Sequence, residues 1–526
     1  MLVRLYKALA IEPDETGKMN PLLLMGFFMG MFIACLSVAA QSLFLLHFQT
    51  QEQLATAFVL SGLSAQVATF IYNFLQNRIP FILLGTLNLV TIIGLTALVE
   101  FGEPFFENPD TIHYIGFILI LPFTFITLLV FWGSFGRLFT LRQSKRLMGS
   151  VDVGFLIASL IAFFSIPQIL QYVETAALYT ISLASIIGYF LLYIYLSAKY
   201  ISAGLSLEQE KERHKNLSIV QLFKVKYVLY MSAFVVITMV GLRFVDFSFL
   251  QTTQIYFEDA YVPTFLSYFE AVVVIFSFLF QTLAADRIIA MYGMRVASFI
   301  NPILTGLFTI GALLLGLSFG YTSAAGESFV IFFIMVAMSK LVMQATREAI
   351  DEPVMKLYML PVDSEHRLDV QTKLEGTILA LGNLLAGLLI LVILKVQLTE
   401  LIYFTLFAIP LFVIWYFLAN RLNKTYRLTL QNALTKSKDK STETKSDKAF
   451  TVNNVLEVEV NSAAEEKVIF GLKLMEKLEP AVFETSLVRL VDSDLRKVRE
   501  FARDRISLLG LDQDISQNAE IKSLAI

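Results

Sequence analysis

The chain has 526 residues, 56% hydrophobic and only 16% charged, with 47 Phe and a mean hydropathy of +0.68. A soluble core does not need that much apolar surface; a polytopic membrane protein does, because its lipid-facing side must be apolar too. One cysteine, Cys35, excludes a disulfide framework and a CxxC metal site, and four scattered histidines lack ligand spacing, so no metal or other cofactor is expected. The net charge of −3 says nothing about partners, since the charges are unevenly distributed.

Residues 1–20 open with MLVRLYKALAIEP, a pattern for a short amphipathic segment lying on a membrane surface. The first apolar run, 21–48, is too long for a signal-peptide core, and no small-residue cleavage site follows it. Runs of roughly 20 residues, the length needed to cross hydrocarbon, recur at 21–48, 54–75, 80–99, 113–135, 149–169, 175–197, 226–249, 262–284, 296–319, 327–346, 374–394 and 399–420. The runs are continuous rather than alternating, which selects helices over a barrel. The least regular are the fifth, which contains Pro167, and the eighth, which begins near Pro263.

Twelve spans put both termini on one side, and loop charge tests that count independently. Arg78, the Arg137–Arg146 cluster, Lys199 to Lys226, Arg287, Arg295 and Arg347 to Lys373 fall on the side of the N-terminus. The opposite loops hold only Lys395 and are acidic or neutral, as in EFGEPFFENPD (100–110) and FEDAYVP (257–263). The positive-inside bias makes both termini cytoplasmic. Six helices over 21–197, a charged connector over 198–225 (LSLEQEKERHKN) and six more over 226–422 form two parallel bundles. A faint internal echo agrees: the loop from Arg137 to Gly149 recurs as Arg347 to Gly376 in the second half.

Ionisable groups inside spans are costly and face a cavity or a partner. Arg243 and Asp246 lie three apart on the seventh span and share a face. Glu270 sits on the eighth with Gln281 three turns further on, and Lys340 is near the middle of the tenth. These five are the candidates for binding an anionic or zwitterionic solute or a proton; the alternative is an interhelical ion-pair network that fixes packing. Arg137, Arg142, Lys145 and Arg146, with Asp152 nearby, lie at the membrane face, where they mark topology and tie helices to neighbouring acids or lipid headgroups. Gly26/Gly30 and Gly316/Gly320 have the spacing for close helix approach, and Pro122, Pro167 and Pro302 mark candidate kinks.

After Leu422 the composition changes. Residues 423–453, with KSKDKSTETKSDKAF at 436–450, have little to bury and read as a flexible linker. Residues 454–526 form a separate helical module, periodic over 454–511. Basic residues are not interleaved with aromatic ones in the loops, so no nucleic-acid partner is expected. No nucleophile–base pair or phosphate loop points to an enzyme.

FWGSFGRLFTLRQSKRLMGSVDVG (131–154), ALAIEPDET (8–16), SLFLLHF (42–48) and DEPVMKLYMLPVDSEHRLDVQTKLEGTILALGNLLAGLL (351–389) together resemble the ATP/ADP translocase family of nucleotide transporters. The resemblance spans about 420 residues and is to the bacterial branch fused to HEAT repeats. It implies a major-facilitator-like fold, a bacterial inner membrane location, and transport of an organic, possibly anionic solute by alternating access. The sequence departs from the family where a basic and then an acidic residue precede the SLFL segment: here stand Ala39, Ala40 and Gln41, and the first six spans hold no Lys or Arg. A phosphate in a low-dielectric cavity needs paired cations, so half of a nucleotide site is missing. LVRLVDSDLRKVREFARDRISLLG (487–510) resembles the turn and second helix of a HEAT repeat, with Asp492, Val498, Arg499 and Ala502 in order. Such repeats need neighbours to bury their faces, so the module reads as shortened from a longer parent, docking a cytoplasmic or membrane protein through 454–526. The rival expectation is a transporter-derived membrane scaffold that anchors a protein assembly without moving a solute.

Overall fold

The computed structural model describes residues 11–13, 15–76, 78–201, 223, 225–362, 370–443, scattered positions between 465 and 493, and 495–509. Residues 1–430 form one compact unit and 431–526 another.

The long described helices are α1 (Thr16–His47), α2 (Gln51–Gln76), α3 (Phe81–Phe101), α4 (Asp110–Leu138), α5 (Leu141–Ile169) and α6 (Ala177–Leu196), then α7 (Lys226–Tyr256), α8 (Val262–Phe280), α9 (Asp286–Phe319), α10 (Phe329–Thr346), α11 (Leu379–Lys395) and α12 (Leu401–Glu443), with a short helix, Glu352–Tyr358, between α10 and α11. Among the described residues, eleven regions are long and apolar enough to cross a membrane. Helix α5 opens with the charged turns LRQSKR and continues through the apolar stretch Val153–Ile169. Large apolar side chains such as Phe70, Leu83, Leu191 and Leu307 stand on the outer surface, where only lipid makes them inexpensive. The chain is an integral membrane protein.

Helix contacts repeat with a shift of six. In the first half α1 packs on α4 and α5, and α2 on α4; in the second α7 packs on α10 and α11, and α8 on α10. The halves meet mainly through two pairs related by the same shift, α2 with α11 and α8 with α5. Each half has its own apolar core, and the second half's core takes in Phe44, Leu45, Leu54, Ala55, Phe58 and Phe117 from α1, α2 and α4. The halves are therefore joined firmly at the end where α1 leaves and α2 enters. There Gln254 on α7 donates its amide to the Phe48 carbonyl at 3.2 Å.

Glycine sets the closest approaches. A Cβ on Gly30 would lie 2.5 Å from the Phe155 carbonyl oxygen and 2.9 Å from Ala158 Cβ, so α1 rests directly on α5. Gly320 does something else: with φ of 112° it ends α9, so the Gly316/Gly320 spacing is one packing residue and one helix stop. Pro122, Pro167 and Pro302 all lie inside helices. The described break in α9 is at Gly293, with φ of 76°.

Helix α12 continues to Glu443, through residues 423–443 that composition assigns to a linker. Its Arg, Lys, Leu, Gln and Ala are good helix formers, and the preceding apolar turns supply the nucleus. Residues 444–453 lie outside the described residues. The second unit contains α13 (Arg496–Leu509) and a small core of Val468, Leu472, Phe483, Leu487, Val498, Ala502 and Ile506. Arg499 donates to the Ser493 carbonyl at 3.0 Å; Asp492 lies outside the described residues.

Candidate functional site

Helix α7 presents Arg243 and Asp246 one turn apart on one face. Arg243 Nη1 donates to Asp246 Oδ2 at 2.9 Å, and Lys340 of α10 holds the other carboxylate oxygen, Oδ1. One carboxylate thus accepts from two cations. Burial makes the sharing necessary: side-chain exposure is 20% for Arg243, 9% for Asp246 and 10% for Lys340. An unpaired charge there would meet a large desolvation penalty.

Glu270 of α8 completes the group. Gln344, one turn beyond Lys340 on α10, donates to Glu270 Oε2 at 3.4 Å. Through Gln344, Glu270 is tied to α10 one turn from Lys340. With all four ionised, the two cations and two anions sum to zero. Such a site carries no net buried charge when empty, and a zwitterionic group that exchanges partners with it leaves that sum unchanged.

Gln281 does not join it. It begins the π-helical turn Gln281–Ala285 at the end of α8 and is exposed. Eleven residues of helix rise about 16 Å, which carries Gln281 away from Glu270 although both lie on one helix.

Two residues that the charge pattern did not single out complete the network. Gln344 is one; Asn383 of α11 is the other. Arg243 Nε donates to Asn383 Oδ1, and Asn383 Nδ2 donates to the Phe58 carbonyl of α2 at 3.1 Å. The Arg243 guanidinium also lies 5.5 Å from the centre of the Phe58 ring, within cation–π range. A polar amide in the apolar run LALGNLLAG was the available signal, but nothing in the sequence names its partners.

The membrane-face cluster is built separately. Thr140 caps α5 and exchanges bonds with Gln143 as a capping box, which turns the chain between α4 and α5 in two residues. Arg137 donates to the Gly133 carbonyl at 3.0 Å and stacks 3.7 Å over Phe81. Arg146 reaches the carboxylates of Glu12 and Glu15, the latter only 2% exposed. Lys18 donates to the Leu138 carbonyl at 3.2 Å at the end of α4, which ties the first turn of α1 to this turn. Arg142, Lys145 and Asp152 lie on α5, with side chains outside the described residues. Among the described residues no group of three or more His, Cys, Asp or Glu could hold a metal ion.

This helix order and packing can be compared with solved structures. No protein-family model matches the sequence, and no curated protein does. Solved transporters do match in structure. The nucleoside transporter NupG aligns with TM-score 0.53 and 13% identity, over 77% of this chain and 99% of its own. The POT family transporter PepTSo aligns at 0.55 and 12%, over 77% and 99%. The xylose transporter XylE from E. coli, in an inward open conformation, aligns at 0.51 and 13%, over 76% and 95%. The chain shares the fold of these solved transporters. At such identities the likeness concerns the backbone alone, and the charged site must be argued from its own residues.

Proposed function

We propose that this protein is a secondary transporter that moves an organic anionic solute by alternating access between two six-helix halves. One observation carries the reading: Asp246 is held by two cations, so Arg243 can turn to a solute anion while Lys340 keeps the carboxylate paired. An arginine with a single partner would have to leave a buried carboxylate bare. Glu270, beside Lys340, is positioned to take a cationic group of the solute or a proton. The transporter fold supports this reading, as does the placement of Arg243, Asp246, Glu270 and Lys340 near the middles of their spans.

In this reading α5 is the twelfth span, its charged first turns lying in the headgroup layer. Both termini are cytoplasmic, in a bacterial inner membrane, and residues 454–526 form a HEAT-like docking module. The resemblance to the ATP/ADP translocases keeps nucleotides in the solute panel, while the lack of Lys and Arg in the first six predicted spans favours solutes with one compact anionic group.

The deciding experiment is uptake into liposomes with a panel of labelled solutes, nucleotides included, under defined ion gradients. Uptake by the wild-type chain that is lost in Arg243→Ala and reduced in Glu270→Gln is the expected result. A second reading, a membrane scaffold that no longer transports, is favoured by the fact that every charge in the network already has a partner within the protein. No flux for any solute, together with a stable co-purifying protein, would establish it.

A further inference from the structure

The amide of Asn383 links the candidate binding arginine to the joint between the halves. Its oxygen accepts from Arg243 Nε and its nitrogen donates to the Phe58 carbonyl at 3.1 Å. Arg243 belongs to the second half and Phe58 to the first. The amide is fully buried, so neither bond can be exchanged for bulk water in place. Around it α2 and α11 are in near-backbone contact: a Cβ on Gly62 would lie 2.6 Å from Leu384 N, and one on Gly387 would lie 2.7 Å from Val59 N. With little side-chain padding at these positions, the joint depends on shape and on this hydrogen bond.

Arg243 also fixes which way the amide faces. While the guanidinium holds Oδ1, Nδ2 must point at the Phe58 carbonyl. If Arg243 turns away, the amide loses its orienting partner and its buried oxygen is left unsatisfied. We propose that Asn383 is the positioning residue that couples occupancy of Arg243 to separation of α2 from α11. A solute anion that draws the guanidinium off Asn383 thereby weakens the bond across the joint at the α1–α2 end. This rests on the transport reading for the meaning of occupancy, although the coupling itself can be measured without any solute.

The experiment is the labelling rate of Val59→Cys by a membrane-impermeant methanethiosulfonate in the full chain. The native Cys35, 1% exposed, is controlled by the chain without the added cysteine. Asn383→Ala should raise the rate about tenfold, the scale of one lost buried hydrogen bond. Arg243→Ala should raise it several-fold with Asn383 intact, and the double variant should be no faster than Asn383→Ala alone. Asn383→Asp keeps the acceptor for Arg243 and removes the donor to Phe58, so it should also be fast; it serves as the test if Asn383→Ala is not monodisperse. An unchanged rate in both Asn383 variants overturns the proposal. So does a wild-type rate in Arg243→Ala beside a fast Asn383 variant, since the amide would then only pack the joint. Additive effects in the double variant likewise exclude coupling. These rates are readable even if no solute is ever transported. Conversely, flux lost in Arg243→Ala at an unchanged labelling rate would preserve transport and remove the coupling.

Discussion

The two halves share one helix-packing plan and differ in their chemistry. In the first, buried polar groups are mainly hydroxyls bonded back to their own helix, such as Thr127 to Phe123 at 2.7 Å and Ser134 to Val130 at 2.7 Å. In the second, Arg243, Asp246, Lys340, Glu270, Asn301 and Asp351 sit between helices and bond across them, as in Asn301 to Asp351 at 2.6 Å. A hydroxyl returning to its own backbone is satisfied within one helix and makes no demand on its neighbours. A charge between helices is tolerable only while its partner is in place, so it makes helix position part of its own energy. The first half therefore reads as the inert partner, and the second as the half where a bound group can change which helices are held together.

The largest break in that contrast is Asp246→Ala. It strands two cations in a buried site, and the expected loss is about 3–5 kcal/mol, read as a large fall in thermal stability in detergent. Lys340→Ala should cost less, because Asp246 keeps Arg243. Next comes Gly62→Ala, whose methyl meets α11 backbone at 2.6 Å and should cost about 1–3 kcal/mol, with faster labelling at Val59→Cys. Gly30→Ala is the matched control: its methyl meets α5 within the first half, so stability should fall without faster labelling. The smallest effect is expected from Thr127→Ala, at about 1 kcal/mol or less, with labelling unchanged. A loss as large as that of Asp246→Ala would end the contrast between the halves. Arg146→Ala tests the membrane-face cluster alone: limited proteolysis before α1 should quicken, while labelling of the joint stays as in the wild type.

Much of the architecture was legible because hydrocarbon imposes a length rule that can be read one segment at a time. The fifth run was among the least regular because it contains Pro167, which the structure keeps inside α5. Arg243, Asp246, Glu270 and Lys340 were visible as charges where charge is expensive. Gln281 was misplaced because a helix face read in one dimension does not show where the neighbouring helix ends. Asn383 went unnoticed because an amide carries no charge, and its two partners lie 140 and 325 residues away in the chain. Gly320 and residues 423–443 show the same limit: a glycine spacing does not reveal its φ, and a polar composition does not reveal that a preceding helix will carry on through it.

The sequence by itself determined that this chain lives in a membrane, roughly where its helices run and which half holds the charges, because solvation acts on each segment separately. Only the tertiary structure decided that one aspartate serves two cations and that an asparagine ties them to the opposite half. Hydrogen bonds are directional and short, so their partners are chosen by helix packing that no single segment contains.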